Sequence, residues 1–156
     1  MTNFQQTIEK PIHLQGKGLH TGLDITLTFN PAPENYGIWI KRTDLEGQPE
    51  IQALAENVQG STRGTVIAKD DMQISTVEHA LASLYALGID NCLIEVDAPE
   101  FPILDGSARF FAEAIRKAGI VQQEAERDFF VVKQRIEYGD EESGSTIVLL
   151  PDDRFS

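Results

Sequence analysis

The sequence predicts an α+β protein in which two helices pack on one face of a mixed or antiparallel β-sheet. Three observations support this class. Apolar and polar residues alternate in several short segments, which is the period of half-buried strands. Two other segments repeat apolar residues at helical spacing. The strands and helices do not alternate as regularly as in βαβ proteins, so one layer of helices on one sheet is the expected architecture.

The alternation is clearest at residues 25–29, where Ile25, Leu27 and Phe29 are separated by threonines. Pro31 is expected to end this strand, because proline has no N–H to donate to a neighbouring strand. A glycine-rich connection precedes the strand at residues 16–22. Further strands are predicted at residues 7–14, 37–42, 65–68 and 91–96.

The two predicted helices have clear ends. The first carries apolar residues at helical spacing and is expected to stop at Gly88; these residues are Val77, Ala80, Leu81, Leu84 and Leu87. The second begins after the Asp-Gly-Ser sequence at residues 105–107 and ends at Gly119. Its apolar face comprises Phe111, Ala114, Ile115 and Ala118.

Composition narrows the classes of function. The chain has 156 residues, 41% of them hydrophobic, which is enough to bury a core in one or at most two domains. Its formal net charge of −12 argues against a nucleic-acid partner, because such a surface needs clustered lysine and arginine. No segment is apolar for long enough to span a membrane. The single cysteine, Cys92, suits a reducing compartment, so a cytoplasmic protein is expected.

The C-terminal part repeats an earlier pattern. Residues 122–128 have the composition of a polar linker, and residues 129–156 carry a second hairpin pattern that resembles the first strands of the chain. Two interpretations of this resemblance remain open. The segment is either an extra hairpin that completes one domain, or the beginning of a duplicated domain.

The most informative pair of residues is Glu78 and His79, at the start of the first predicted helix. A structural interpretation is available for each: Glu78 can close a capping box with Ser75, and His79 can be a partly buried histidine. The catalytic interpretation makes His79 a zinc ligand and Glu78 the base that activates a water molecule. Catalytic zinc usually has three protein ligands, and His20 is the only plausible companion in this chain. The residues alone therefore supply half of a metal site.

Four motifs in this order carry a resemblance to a known family. They are Gly-Leu-His-Thr-Gly at residues 18–22, Ile-Ser-Thr-Val-Glu-His at 74–79, Gly-Ile-Asp-Asn at 88–91 and Pro-Ile-Leu-Asp-Gly-Ser at 102–107. From about Gln5 to its end, the chain closely resembles the first half of the UDP-3-O-acyl-N-acetylglucosamine deacetylases, zinc hydrolases of lipid A biosynthesis in Gram-negative bacteria.

The resemblance implies two similarly built α+β domains with the active site between them, which favours the duplicated-domain interpretation. Residues 1–121 would form the N-terminal domain, residues 122–128 the linker, and residues 129–156 the first hairpin of the second domain. The remaining zinc ligands, a histidine and an aspartate, would come from that second domain.

The resemblance also implies roles for individual residues. His79 would be a zinc ligand, Glu78 the general base, and His20 a residue near the mouth of the site. Ser75 and Thr76 would shape the start of the first helix, and Asp105 with Ser107 would cap the second.

The function that this resemblance implies is zinc-dependent N-deacetylation of a UDP-linked, 3-O-acylated N-acetylglucosamine, with release of acetate. The expected partner is the C-terminal domain of the same enzyme, and the chain alone is expected to have little or no turnover. The alternative is a non-catalytic interaction or regulatory module of the same ancestry. A third candidate, an RNA-binding α+β domain, would need a basic face and is disfavoured by the acidic charge.

Overall fold

The computed structural model describes residues 3–61, 64–140 and 142–152. The chain divides into two compact units, Met1–Glu126 and Arg127–Ser156, and each is described by itself. Within the described residues, the strands of the first unit are β1 (Phe4–Ile8), β2 (Ile12–Lys17), β3 (Asp24–Pro31), β4 (Ile38–Arg42), β5 (Glu50–Gln52), β6 (Val58–Gly60), β7 (Val66–Lys69), β8 (Met72–Ile74), β9 (Cys92–Val96) and β10 (Ile120–Glu126). Its helices are α1 (Glu78–Ala86), α2 (Arg109–Ala118) and a short 3-10 helix at Ala55–Asn57.

A five-stranded sheet forms the centre of the first unit, in the order β2-β3-β9-β4-β5. Neighbouring strands are antiparallel except β9 and β4, which are parallel. In this register Leu27 lies opposite Val96, and Ile40 lies beside Ile94. All four side chains are buried. The alternation seen in the sequence therefore produces one largely apolar face on a mixed sheet.

Both helices contribute to the core formed on this apolar face. Helix α1 buries Ala80 and Leu84, and α2 buries Phe111 and Ile115. The rings of Phe29 and Phe111 meet edge to face, with centroids 6.4 Å apart. Burying a side chain of this size stabilises a fold by about 1.5–3 kcal/mol, so the layer contributes strongly to stability. The predicted α+β class is confirmed.

The predicted ends of the two helices are also correct. Helix α1 is followed by Gly88 at a φ of +69°, and the N–H of Gly88 donates to the carbonyl of Tyr85. A left-handed conformation at this position costs glycine little, which is why helices commonly stop there. Helix α2 ends at Gly119, whose φ of +85° and ψ of 153° form a conformation that is essentially restricted to glycine.

The strand predicted at residues 7–14 is wrong, because two strands occupy that region. Strand β1 ends at Ile8 and pairs with β10, whereas β2 begins at Ile12 and pairs with β3. Pro11 lies between them and has no N–H to offer to either pairing. The chain therefore leaves one sheet and enters another at this point.

The linker predicted at residues 122–128 is wrong over residues 122–126, which belong to β10. This strand forms an antiparallel ribbon with β1, in which Ile8 lies opposite Ile120. Its polar composition resembles that of a linker, but the Gln123 side chain bonds to the rest of the first unit: Nε2 donates to the carbonyl of Ala32 at 3.0 Å. The first compact unit accordingly extends to Glu126.

The second unit contains a hairpin of β11 (Ile136–Asp140) and β12 (Ser145–Leu149). The two strands are antiparallel, with Ile136 opposite Leu149. Every residue of both strands is exposed. Residues 153–156 of the predicted hairpin lie outside the described residues. That this hairpin begins a duplicated domain remains a prediction.

A further sheet of the first unit has the order β6-β7-β8. Strand β8 ends at Ile74, and α1 begins at Glu78. None of the helices formed by the described residues is both long and apolar enough to cross a membrane.

Candidate active site

Glu78 and His79 are the first two residues of α1. Both side chains are half-buried, whereas the neighbouring Val77 and Ala80 belong to the core. His79 is therefore partly accessible to solvent. A partly accessible histidine at a helix start is compatible with the role of a metal ligand.

The carboxylate of Glu78 is oriented by the segment that precedes β7. The backbone N–H of Thr65 donates to Glu78 Oε2 at 3.0 Å. On the other side, a Cβ atom added to Gly64 would lie 3.3 Å from Glu78 Oε1. The absence of a side chain at Gly64 thus leaves space beside Oε1 while Oε2 is held. Oε1 accepts no hydrogen bond from the part of the chain that the structure describes.

The capping box predicted from Ser75 to Glu78 is wrong. Val77 occupies the N-cap position, and no side chain caps the helix. The Ser75 hydroxyl instead donates to the carbonyl of Pro99 at 3.3 Å, and the Glu78 carboxylate bonds to Thr65. The reason is tertiary: Ser75 is bridged to Glu100 in the neighbouring segment, which takes its hydroxyl away from the helix start.

His20 is exposed and lies in the turn at residues 18–22, of which only Gly18 is buried. The turn is closed by backbone bonds from the N–H of Gly18 to the carbonyl of Leu23, and from the N–H of Gly22 to the carbonyl of Gly18. The backbone N–H of His20 donates to both oxygens of the Glu100 carboxylate, at 3.0 and 3.2 Å. The position of His20 therefore depends on a residue that is distant in sequence.

Glu100 connects the turn with the start of α1. Its carboxylate accepts hydrogen bonds from His20 and Thr21 and, at 3.3 Å, from the hydroxyl of Thr76, two residues before Glu78. Sequence analysis missed this residue. One signal was present: Glu100 is the single charged residue between Ala98 and Leu104, an otherwise apolar segment. A charged residue in such a segment is rarely buried without partners.

The start of α2 is organised by Asp105 and Ser107. Ser107 Oγ accepts a hydrogen bond from the N–H of Arg109, the first residue of the helix, at 3.2 Å. Asp105 Oδ1 accepts from both the N–H and the hydroxyl of Ser107. Hydrogen bonds from Ser107, partly opposed by desolvation, lower the pKa of Asp105. The N-cap position itself is Ala108, and no side chain at that position caps the helix, so Asp105 and Ser107 do not form the predicted cap. Ser107 nevertheless accepts a helix N–H from the position before the N-cap, and Asp105 holds Ser107.

The described residues by themselves do not form a complete metal site. Within residues 3–61, 64–140 and 142–152, no three side chains of histidine, cysteine, aspartate or glutamate come together to hold an ion. Cys92 is an unsuitable ligand, because burial raises the pKa of its thiol to about 12. A metal ion bound to His79 would therefore need further ligands from outside the described residues.

Comparison with known proteins gives one family. The sequence model described as UDP-3-O-acyl N-acetylglycosamine deacetylase matches residues 5–156. The bifunctional enzyme LpxC/FabZ of Bacteroides thetaiotaomicron is 57% identical over 152 residues, which are 97% of this chain and 33% of that protein. The protein of the same name from Porphyromonas gingivalis is 60% identical, with the same coverage.

A relative named for the deacetylase activity alone is also similar. The UDP-3-O-acyl-N-acetylglucosamine deacetylase of Bdellovibrio bacteriovorus is 42% identical over 145 residues, which are 93% of this chain and 48% of that protein. The chain thus spans between a third and about half of the length of these curated relatives.

Proposed function

Because the chain belongs to the UDP-3-O-acyl-N-acetylglycosamine deacetylase family, we propose that it is the N-terminal part of a zinc-dependent N-deacetylase of lipid A biosynthesis. The proposed substrate is a UDP-linked, 3-O-acylated N-acetylglucosamine, and the products are acetate and the free amine. The observation that carries the proposal is the pair formed by Glu78 and His79 at the start of α1, both accessible and one held by a backbone N–H. The single cysteine supports a cytoplasmic location for this reaction.

His79 is the residue of this chain that would hold zinc. Two further protein ligands are needed for a catalytic zinc, and we propose that the C-terminal domain provides them. When bound, zinc supplies a Lewis acid that polarises the acetamide carbonyl and makes water a better nucleophile near neutral pH.

Glu78 would be the general base of the reaction. The Thr65 N–H bonded to Oε2 fixes the plane of the carboxylate, so Oε1 beside Gly64 is the oxygen we assign to proton transfer. Oε1 would take a proton from the attacking water and then deliver it to the amide nitrogen as the C–N bond breaks. One carboxylate would thus act first as base and then as acid. His20 would contact the substrate near the mouth of the site.

The metal assignment is tested by measuring zinc in the chain assembled with a C-terminal half. We expect about one zinc ion per assembly. His79→Ala should abolish zinc binding. His13→Ala is the matched control, because His13 is exposed on β2 and bonds to Thr28. An assembly without zinc would support the non-catalytic module instead.

The base assignment is tested in the same assembly with Glu78→Gln. Glutamine can still accept the Thr65 N–H through its amide oxygen, but it cannot take up a proton. We expect acetate release to fall by about 100-fold or more with zinc retained. Glu113→Gln, on the exposed part of α2, is the control. Unchanged turnover in Glu78→Gln, or acetate release by the chain alone, would contradict the proposal.

A further inference from the structure

Glu100 is a buried carboxylate with an unusual number of donors. The residue is 0% exposed and lies between buried or half-buried apolar neighbours. Leaving a charge in such surroundings without partners would be very costly. Four donors reach its two oxygens: the backbone N–H of His20, the backbone N–H and hydroxyl of Thr21, and the hydroxyl of Thr76.

The donors keep Glu100 ionised. Burial alone raises the pKa of this carboxyl group, but the hydrogen bonds from Thr21, His20 and Thr76 outweigh it, so the pKa is lowered overall. An ionised carboxylate accepts charge-assisted hydrogen bonds, which are stronger than those between neutral groups. A neutral side chain of the same size would hold the turn less firmly.

The donors come from two parts of the chain that converge on this carboxylate. Thr21 donates to Oε2 from its backbone at 3.0 Å and from its hydroxyl at 2.9 Å. Thr76 donates to Oε1 from the connection between β8 and α1. The turn at residues 18–22 and the segment before α1 thus bond to the same carboxylate.

Two features show that the surrounding backbone is adapted to this carboxylate. A Cβ atom added to Gly18 would lie 2.5 Å from Glu100 Oε2, so no other residue fits there without displacement. Thr76 has a φ of +58°, a conformation that is costly for a β-branched residue. In this conformation the hydroxyl of Thr76 donates to Glu100 at 3.3 Å.

We propose that Glu100 is a positioning residue, which holds His20 in place against the start of α1 and thereby against Glu78 and His79. We call the hydrogen bonds that Glu100 accepts from His20, Thr21 and Thr76 the clamp. The clamp follows from the contacts above, and its effect on catalysis rests on the proposed function. Glu100 does not touch the reacting atoms. It acts through the backbone of His20 and through Thr76.

The clamp is tested in the full chain by hydrogen exchange of individual amides, which requires no activity. Glu100→Gln replaces one acceptor oxygen by an NH₂ group that cannot accept. We expect the amides of His20 and Thr21 to exchange about 10-fold faster or more, with little change in β3 and β9. Glu95→Gln is the matched control, because Glu95 is only partly buried on β9. Unchanged exchange at His20 and Thr21 would overturn the clamp.

Thr76→Val provides a second variant should Glu100→Gln fold poorly. Valine keeps the size and branching of threonine but removes the hydroxyl that donates to Glu100. We expect a smaller acceleration, about 3-fold or more, at the same two amides. No acceleration in this variant would show that the helix start and the turn are not coupled through Glu100.

The effect on catalysis is tested by a double-mutant cycle in the chain assembled with a C-terminal half. We expect Glu100→Gln to lower kcat/KM about 10-fold or more with zinc content unchanged. Because Glu100 acts through His20, the pair Glu100→Gln and His20→Ala should lose no more activity than His20→Ala alone. Additive losses, or loss of zinc, would refute the positioning role. An inactive wild-type assembly would refute the proposed function, and the exchange experiment would still decide the clamp.

Discussion

Arg42 illustrates how a charged side chain is accommodated in this fold. Its side chain is 6% exposed, at the end of β4. Two of its nitrogens donate to the two oxygens of Asp44, at 2.8 and 2.7 Å, and a third donates to the carbonyl of Gln73. The guanidinium therefore joins the central sheet to β8, the strand that leads to the candidate site.

The pairing makes stability depend on pH through Asp44. Hydrogen bonds from Arg42 lower the pKa of Asp44 in the folded protein. The contribution of Asp44 to stability is therefore complete above the pKa of an unfolded aspartate, about 3.9, and is lost as the pH falls through the lowered folded value. We expect Asp44→Asn to cost about 1–2 kcal/mol at pH 7, and the two proteins to converge in acid.

Urea unfolding at a series of pH values measures this difference. Asp71→Asn is the control, because Asp71 is exposed in a turn; it should change the free energy of unfolding by less than about 0.5 kcal/mol at any pH. A constant difference between wild type and Asp44→Asn down to the lowest pH at which both remain folded would contradict this account.

At the candidate site, the residues that sequence analysis found are those with a local motif. Glu78, His79 and His20 lie in short motifs and could be selected from the sequence. Glu100 is marked in the sequence only as a lone charge in an apolar segment, and Thr65 is not marked at all. Their contacts could not be predicted, because they join residues 80 and 13 positions apart. The same limitation explains the wrong capping box: the local motif at Ser75 was correct in residue type, but the neighbouring segment at Pro99 provides a competing acceptor.

The ribbon of β1 and β10 is joined to the rest of the first unit by buried polar contacts. Asn91 is buried at its base and donates from Nδ2 to the side-chain oxygens of Gln5 and Gln123, both at 2.8 Å. Its Oδ1 accepts from the N–H of Gly37 at 2.8 Å. One amide group thus joins the ribbon to the loop before β4.

Asn91→Ala should therefore destabilise the protein strongly. The substitution removes three hydrogen bonds and leaves buried polar atoms without partners, so we expect a loss of about 2–4 kcal/mol in the free energy of unfolding. Amides of β1 and β10 should exchange faster than in the wild type. Gln15→Ala, an exposed position on β2, is the control. A loss of less than about 0.5 kcal/mol would show that the amide does not hold the ribbon.

The elements that were predicted correctly are those whose boundaries are encoded locally. Both helices end near glycines, and the sequence of β3 alternates polar and apolar residues. The ribbon was missed because its strands are defined by pairing over long separations, as in the bond from Gln5 Nε2 to the carbonyl of Glu126, 121 residues away. The polar composition of β10 by itself is also typical of a linker.

For the whole molecule, the α+β class followed from the sequence, but the strand order did not. The parallel pairing of β4 with β9 places Ile38 beside Cys92, 54 residues further along the chain, and no local signal specifies it. The second unit shows the opposite situation. Its hairpin is encoded locally, with a turn at Gly144, yet nothing in the sequence shows what covers its apolar side chains.

The hairpin of β11 and β12 gives the last prediction. All its residues are exposed, including Tyr138 and Ile147, and an isolated hairpin of this kind is at best marginally stable in water. We expect its amides to exchange about 100-fold faster than those of β9 in the chain alone.

If the hairpin begins a second domain, adding a C-terminal half should bury its apolar side chains and slow this exchange by about 10-fold or more. The amides of β9, which is already buried in the first unit, are the internal control. A hairpin that is protected as strongly as β9 in the chain alone would contradict the duplicated-domain interpretation and favour an extra hairpin that completes one domain. A hairpin that gains no protection on assembly would also contradict the duplicated-domain interpretation.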